Sequence, residues 1–309
     1  MNDKQRAKII LNPYAGRWKA QRAIPDVKRA CAETGLDYEL VLTEGPNHGI
    51  ELAKEAVLAG YSPIISAGGD GSISEVVNGM LEASGGEPQE VPLGIIPLGS
   101  ADDLADQLGL PKDITTACRV IVAGCERLLD LGRVNGRYFD NNSAVGLEPM
   151  VTVTQERMVR VKGTPRYVLA AVRTILAHRP WRMQLKWSGG EYMGEVTLVS
   201  VGNTRRTGGA FYMTPRAEPD DGLLDFVFAQ GMGRLKLLRL LPTTFDGSHV
   251  ERPEVRYERA ARLEITCDPP TPIQADGELF DRAANRITYE VLPACLRVLV
   301  PSPQTGHSG

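Results

Sequence analysis

"SPIISAGGDGSISEVVNGM", residues 62–80, sets an apolar run and a segment of helical spacing on either side of three glycines and one aspartate. "SPIISA" reads as a buried strand and "SISEVVNGMLEAS" as a helix, which leaves the glycines in the strand-to-helix turn. Bare backbone there can bend sharply and aim successive N–H groups at one place, so Gly68, Gly69 and Gly71 can form an anion-binding nest. Ser72 stands three residues before Glu75, the spacing of a capping box that opens a helix. A phosphate at such a start meets free amides and the positive end of the helix dipole. A plain tight turn also explains the glycines on spacing alone. Asp70 shifts the balance, because a carboxylate in a phosphate nest repels its ligand unless it orients a lysine, a water or Mg²⁺.

The surrounding chain repeats the same rhythm. "AKIIL" (7–11), "DYELVL" (37–42), "SPIISA" (62–67) and "VPLGIIP" (91–97) read as strands, and "WKAQRAIPDVKRACAETG" and "GPNHGIELAKEAVLAG" as helices with a closing glycine. Strands that alternate with helices in this way imply a parallel sheet with helices on both faces, whose ligands sit beyond the carboxyl ends of the strands. Two more loops fall at that end. "LNPYAGRW" supplies Asn12, Pro13 and Gly16 with Arg17 and Lys19 nearby, and "IIPLGSADDLADQLG" supplies Ser100, Asp102 and Asp103. Each alone is an ordinary turn, but three loops at one sheet end point to one crevice. Neither G-x-x-x-x-G-K-[ST] nor G-x-G-x-x-G occurs, which excludes the two commonest nucleotide loops.

After about residue 128 the pattern changes to hairpins, "RLLDLGRVNGRYFDNNSAVG" and "WRMQLKWSGGEYMGEVTLVSVGN", followed by the runs "LLDFVFA", "RLEITC", "RITYEVL" and "LRVLV". Two domains are expected, an α/β domain over 1–128 and an antiparallel β domain with two helical stretches over 129–300, with a disordered polar tail at 301–309. The 309 residues include five cysteines, Cys31, Cys118, Cys125, Cys267 and Cys295, with no CxxC pair. They read as reduced, buried thiols of a cytoplasmic protein. The beginning of the chain is charged where a signal peptide is apolar, and no run of apolar residues is long enough to span a bilayer. Residues 1–130 hold 12 basic against 19 acidic side chains and the remainder 23 against 19, net −7 and +4. That weak positive balance, without a basic face carrying stacking aromatics, argues against a nucleic-acid partner. His48 and His249 stand without neighbouring ligands and read as structural.

Taken in order, these motifs resemble the diacylglycerol kinase and sphingosine kinase superfamily, and within it the bacterial soluble lipid kinases. "SAGGDGSISEVVNGM" is similar to the family's GGDG loop, "NPYAG" to its NPxSG element, "LTEGPNHGIELA" to its threonine-bearing segment, and "LGIIPLGSADDLA" to its LGxIPLGTxNDFA element. "DNNSAVGLEPMV", "KGTPRYVLAA", "VGNTRRTGGAFYMTPRAEPDDGLLDFVF" and "IQADGELF" follow in the family order. The GGDG loop alone is shared with NAD kinases, so the ordered set carries the resemblance.

It implies a phosphofructokinase-like three-layer α/β domain, a C-terminal β-sandwich-like domain and an ATP site in the cleft between them. Asn12, Pro13, Gly16, Thr43, Gly68, Gly69, Asp70, Gly71, Ser72, Ile73, Ser74, Ser100 and Asp103 match nucleotide-site positions. Glu218, Asp221 and the Leu223 carbonyl match a structural Mg²⁺ site, tied by water to carboxylates such as Asp70 and Asp103. Glu278 in "DGE" matches the proton acceptor, with Asp276 beside it. Two positions depart from the pattern. Ser100 replaces a threonine and keeps the hydroxyl. Asp102 replaces an asparagine and adds a charge, which can weaken nucleotide binding, demand a cation, or matter little if it faces solvent or only favours the helix start.

By itself D-G-E is most often a solvated turn; in this family order it reads as the carboxylate site that a phosphoryl transfer to an alcohol needs. The acceptor is suggested by an acid-free stretch with Arg157, Arg160, Lys162, Arg166, Arg173, Arg179 and Arg182 among apolar residues, and by "RLKLLRLLP" at 234–242. Such stretches can lie on an anionic leaflet, or equally be core helices with a solvated basic face. The expectation is an ATP- and Mg²⁺-dependent kinase of diacylglycerol or a related lipid, cytoplasmic and peripherally membrane-associated, with a homodimer as one option. The alternatives are a kinase of a soluble substrate, of the NAD kinase type, and a lipid-binding protein with impaired catalysis.

Overall fold

The computed structural model describes residues 6–156, 164–177 and 179–302. The chain divides into two compact units, Met1–Leu129 with Ala294–Gly309, and Asp130–Pro293.

The first unit is built on β1 (Ala7–Leu11), β2 (Tyr38–Leu42), β3 (Ile64–Gly68) and β4 (Leu93–Pro97), all parallel in the order β2-β1-β3-β4. Between them run α1 (Ala15–Thr34), α2 (His48–Leu58) and α3 (Asp70–Ala83), and α4 (Asp103–Gln107) and α5 (Ile114–Ala123) follow. Because strand side chains alternate, Ile9, Leu11, Ile65, Ala67 and Ile96 share a core with Ala20, Val27 and Cys31 of α1 and Ile121 of α5. Ile10 and Ile64 fall on the opposite face by the same alternation. The helix α1 ends at Gly35, whose φ of 68° is the left-handed stop that a side chain opposes.

The expected capping box does not form. The helix α3 starts two residues earlier, with Gly69 at its N-cap, so Ser72 lies inside the first turn, where its Oγ accepts from Asn12 Nδ2 at 3.1 Å. Glu75 reaches away from its own helix and caps α2. Its Oε1 accepts from Asn47 N at 2.8 Å and its Oε2 from Gly49 N at 2.9 Å. Spacing along one helix cannot reveal that a neighbouring helix start competes for the same carboxylate.

The second unit comprises most of β5 (Glu126–Val134), β6 (Arg137–Phe139), β7 (Asn142–Gly146), α6 (Leu147–Glu156), α7 (Thr164–Ala177), β8 (Trp181–Trp187), β9 (Gly190–Gly202), β10 (Leu224–Gln230), α8 (Arg234–Leu240), β11 (Val255–Ala260), β12 (Arg262–Ala275) and much of β13 (Glu278–Leu299). The pairing is antiparallel throughout β11-β10-β9-β7-β12-β13, and β8 joins the early halves of β9 and β12. Phe139, Phe226, Phe228 and Tyr289 fill a core with Val145, Val199 and Ile273. The final residues of β13 belong to the first unit, where Val298 pairs with Leu93 of β4. None of the five cysteines forms a disulfide; four are buried as expected, but Cys125 is only half-buried, with its Sγ 3.0 Å from Ser302 Oγ.

The Glu75 cap carries a stability prediction. Glu75→Ala leaves the buried Gly49 amide and the part-buried Asn47 amide without their acceptors and is expected to lower unfolding free energy by about 1–3 kcal/mol, while Glu75→Gln, which keeps one acceptor, loses less. Urea unfolding of the two variants checks the order.

Candidate functional site

In the first unit the loops after β3 and β4 meet backbone to backbone. A Cβ on Gly99 would lie 2.5 Å from the Cα of Gly69, and one on Gly69 would lie 3.0 Å from the Cα of Gly99. Neither residue has a positive φ; glycine is required by the close approach. The loop after β1 joins them, because Asn12 bonds Ser72 and a Cβ on Gly16 would lie 2.5 Å from the Leu98 carbonyl oxygen. The structure therefore brings together the three loops that the sequence placed at one sheet end.

The helix ladder of α3 begins with Ser72 and Ile73 donating to the Gly69 carbonyl, so the amides of Asp70 and Gly71 are left over from it. A Cβ built on Gly71 meets nothing within 4 Å. Two free amides beside open space form the anion-binding feature of this turn. Ser100 is exposed, Thr43 and Pro13 are buried, and Ile73 and Ser74 are buried inside α3.

Asp70 receives Asp103 N at 2.6 Å and Leu104 N at 3.4 Å on Oδ1, so it caps α4. Burial first, then the charges of Asp103 and Asp102, push its carboxyl up to about 7. Asp102 does not face solvent; it is buried at φ 53° with Oδ1 accepting from Gly99 N at 3.0 Å. Burial raises its carboxyl as well. The added charge is thus absorbed by the loop backbone that it braces.

The second unit holds the D-G-E turn between β12 and β13. Asp276 is at φ 48°, and its carboxylate accepts from the consecutive amides of Asp140, Asn141 and Asn142 at 3.2, 3.0 and 3.0 Å. That carboxylate is committed to holding the loop before β7. Glu278 is 42% exposed, with Arg137 Nη2 at 3.5 Å. Of the two acids it is the one whose carboxylate opens to solvent.

The segment that carries Glu218, Asp221 and Leu223 is anchored by Asp130, which receives Gly222 N at 2.6 Å and whose amide donates to the Pro219 carbonyl. Glu218 pairs with Arg205 and Asp221 with Arg259. Carboxylate and carbonyl oxygens suit Mg²⁺, and in this structure each of the two carboxylates is paired with an arginine. Among the described residues no three His, Cys, Asp or Glu side chains form a complete metal cage.

Sequence reasoning did not find the apolar cavity of about 90 Å³, open at its mouth, in the same unit. Leu147, Val151, Ile175, Leu198, Phe211 and Leu237 line it, together with Glu148. Its walls come from α6, α7, α8 and β9, elements far apart in the chain, so no local pattern could have disclosed it. Leu169 and Leu176 on α7 and Leu235 on α8 stay 47%, 53% and 69% exposed. Arg157, Arg160 and Lys162 lie outside the described residues, as does the side chain of Arg166. His48 Nδ1 accepts from Glu44 N, and the buried His249 bonds the Met213 carbonyl through Nε2, so both are tied into local structure.

The model of the diacylglycerol kinase catalytic domain matches residues 6–134, and that of the YegS C-terminal NAD kinase β-sandwich-like domain matches residues 142–300. A diacylglycerol kinase of Mycobacterium tuberculosis is 34% identical over 299 residues, covering 94% of each chain. One of Staphylococcus aureus is 29% identical over 276 residues, covering 89% of this chain and 86% of its own. The crystal structure of a diacylglycerol kinase from Bacillus anthracis superposes with a TM-score of 0.72 at 19% identity, over 97% of this chain and 98% of that one. A catalytic domain followed by a β-rich C-terminal domain is thus shared from end to end, and the chain belongs to the diacylglycerol kinase family of bacterial lipid kinases.

Proposed function

We propose that the protein transfers the γ-phosphoryl group of ATP, with Mg²⁺, to the hydroxyl of diacylglycerol or a closely related lipid. The apolar cavity of the second unit is the observation that carries this reading. A kinase of a soluble substrate has no use for such a chamber, whereas a hydrocarbon chain is bound by burying its surface against apolar walls. The exposed leucines of α7 and α8, helices that also line the cavity, support peripheral contact with a membrane surface. No helix among the described residues is long and apolar enough to cross one. The first unit is read as the phosphofructokinase-like three-layer domain and the second as the β-sandwich-like one.

The amides of Asp70 and Gly71 and the exposed hydroxyl of Ser100 bind phosphate oxygens, with Asn12 fixing Ser72 beneath them. Glu218, Asp221 and the Leu223 carbonyl would hold Mg²⁺, which when bound neutralises phosphate charge. Asp276 holds the D-G-E turn against the loop at 140–142, and Glu278 accepts the proton of the acceptor hydroxyl as the phosphoryl group reaches that oxygen.

Three measurements test this. In assays with ATP, Mg²⁺ and lipid alcohols in mixed micelles, Glu278→Gln is expected to lower kcat by about 10² to 10⁴ with ATP affinity unchanged. Parental turnover in this variant would assign the proton to another group. Gly71→Ala has room for its methyl and suits a helix, so it should fold with parental stability yet weaken ATP binding about tenfold. Equal ATP affinity by calorimetry would remove the α3 turn from the phosphate site.

Asp70 gives a pH signature. Its folded carboxyl, at about 7 against an ordinary 3.8, makes the native chain hold more protons than the unfolded one between those values. Its contribution to stability is therefore largest at low pH and falls as pH climbs through that window. Asp70→Asn keeps an oxygen acceptor for the α4 amides and cannot ionise. It is expected to melt above the parent at about pH 8, with the gap closing toward about pH 4. A gap that does not change with pH would mean that Asp70 is not the titrating group.

A further inference from the structure

Glu148 lies in the first turn of α6 and lines the apolar cavity beside Leu147 and Val151. Its Oε1 accepts from Asn142 Nδ2 at 3.3 Å and from Gln274 Nε2 at 3.2 Å. Its Oε2 is sealed from solvent and has no partner among the described residues. A carboxyl oxygen buried in this way carries a desolvation cost, and its presence asks for a reason.

The reason lies on the far side of the two amides. Gln274, held by Glu148 and by Asn142 Oδ1 at 3.1 Å, accepts Gly277 N on its own Oε1 at 2.8 Å. Gly277 is the centre of the D-G-E turn. Asn142, whose side chain bonds Glu148, donates its backbone amide to Asp276. Two routes, each one residue long, thus run from the cavity wall to the turn that carries Glu278. All of these residues belong to the second unit.

We propose that Glu148 is a positioning residue that couples filling of the apolar cavity to the D-G-E turn through Gln274 and Asn142, so that Glu278 is set for the acceptor hydroxyl when a lipid chain is seated. This rests on the reading of the cavity as the acyl site and of Glu278 as the base. A chain packed against Leu147 and Val151 bears on the same helical turn that holds Glu148, and the amide pair passes that constraint to Gly277. Burial pushes the Glu148 carboxyl up to about 7, so near neutrality it is held partly as the uncharged acid, which an apolar wall tolerates better than a carboxylate.

The test compares the parent, Glu148→Ala, Glu148→Gln, Gln274→Met and Glu278→Gln, with dioleoylglycerol and dioctanoylglycerol as acceptors in the same mixed micelles at saturating ATP. The parent is expected to turn over the long-chain lipid faster. Glu148→Ala should lower kcat on that lipid by about 10²-fold, with its KM changed less than about twofold, and should abolish the difference between the two lipids. Glu148→Gln keeps an oxygen for Asn142 and Gln274 and should recover most of kcat. Gln274→Met cuts one of the two routes without touching the cavity and should lower kcat on the long-chain lipid at least about tenfold and shrink the difference between the two lipids, which keeps the test decisive if the alanine variant does not fold.

Parental kcat in Glu148→Ala, a preserved chain-length difference, or a rise in lipid KM alone overturns the coupling. Loss of turnover in Glu278→Gln beside normal turnover in Glu148→Ala and Gln274→Met overturns the coupling and leaves the base assignment standing. Parental turnover in Glu278→Gln overturns the base assignment and the coupling with it.

Discussion

The contact on which the first unit turns is bare backbone against bare backbone at Gly69 and Gly99. Side chains at either place would force the loops after β3 and β4 apart. Held together, they set the first amides of α3 beside the carboxylates of Asp70 and Asp103, and they place Asp102 where its oxygen can brace Gly99. The turn that opens α3 is thus a product of packing between two loops. The positive-φ nest that a run of glycines suggests is not how it is made.

Four carboxylates of this protein show two contrasting physical conditions. Glu75 and Asp276 are saturated with backbone amides, Glu75 at the start of α2 and Asp276 before β7, and they hold structure. Asp70 and Glu148 are buried with fewer donors than their oxygens could use, and burial raises both. A group kept in the second condition lowers stability in exchange for a role, which is the pattern expected where chemistry or ligand binding is sited. Glu278 stands apart from both, part exposed beside Arg137.

The second unit joins two requirements of a lipid acceptor in one fold. The surface of its cavity is almost entirely apolar, while polar groups of Asn142, Glu148, Ser200 and Gln274 form one buried network at its edge. Such networks fix a single arrangement of the backbone they bond, because each lost partner leaves a costly orphan. Here the backbone they fix is the D-G-E turn.

Much of this was legible in the chain alone. Short apolar runs with intervening helical spacing determine the parallel strands of the first unit, the turn residues at 135–136 and 188–189 determine the hairpins of the second, and ordered motifs identify the family, because all of these depend on residues adjacent in sequence. The capping of α2 by Glu75, the burial of Asp102, the commitment of Asp276 to three amides, the strand edge joined by Val298 and the cavity behind Glu148 were decided by tertiary structure. Each depends on which distant group arrives within hydrogen-bond or van der Waals reach, and the energies of burial and of unmet donors that settle the outcome do not exist until the chain has folded.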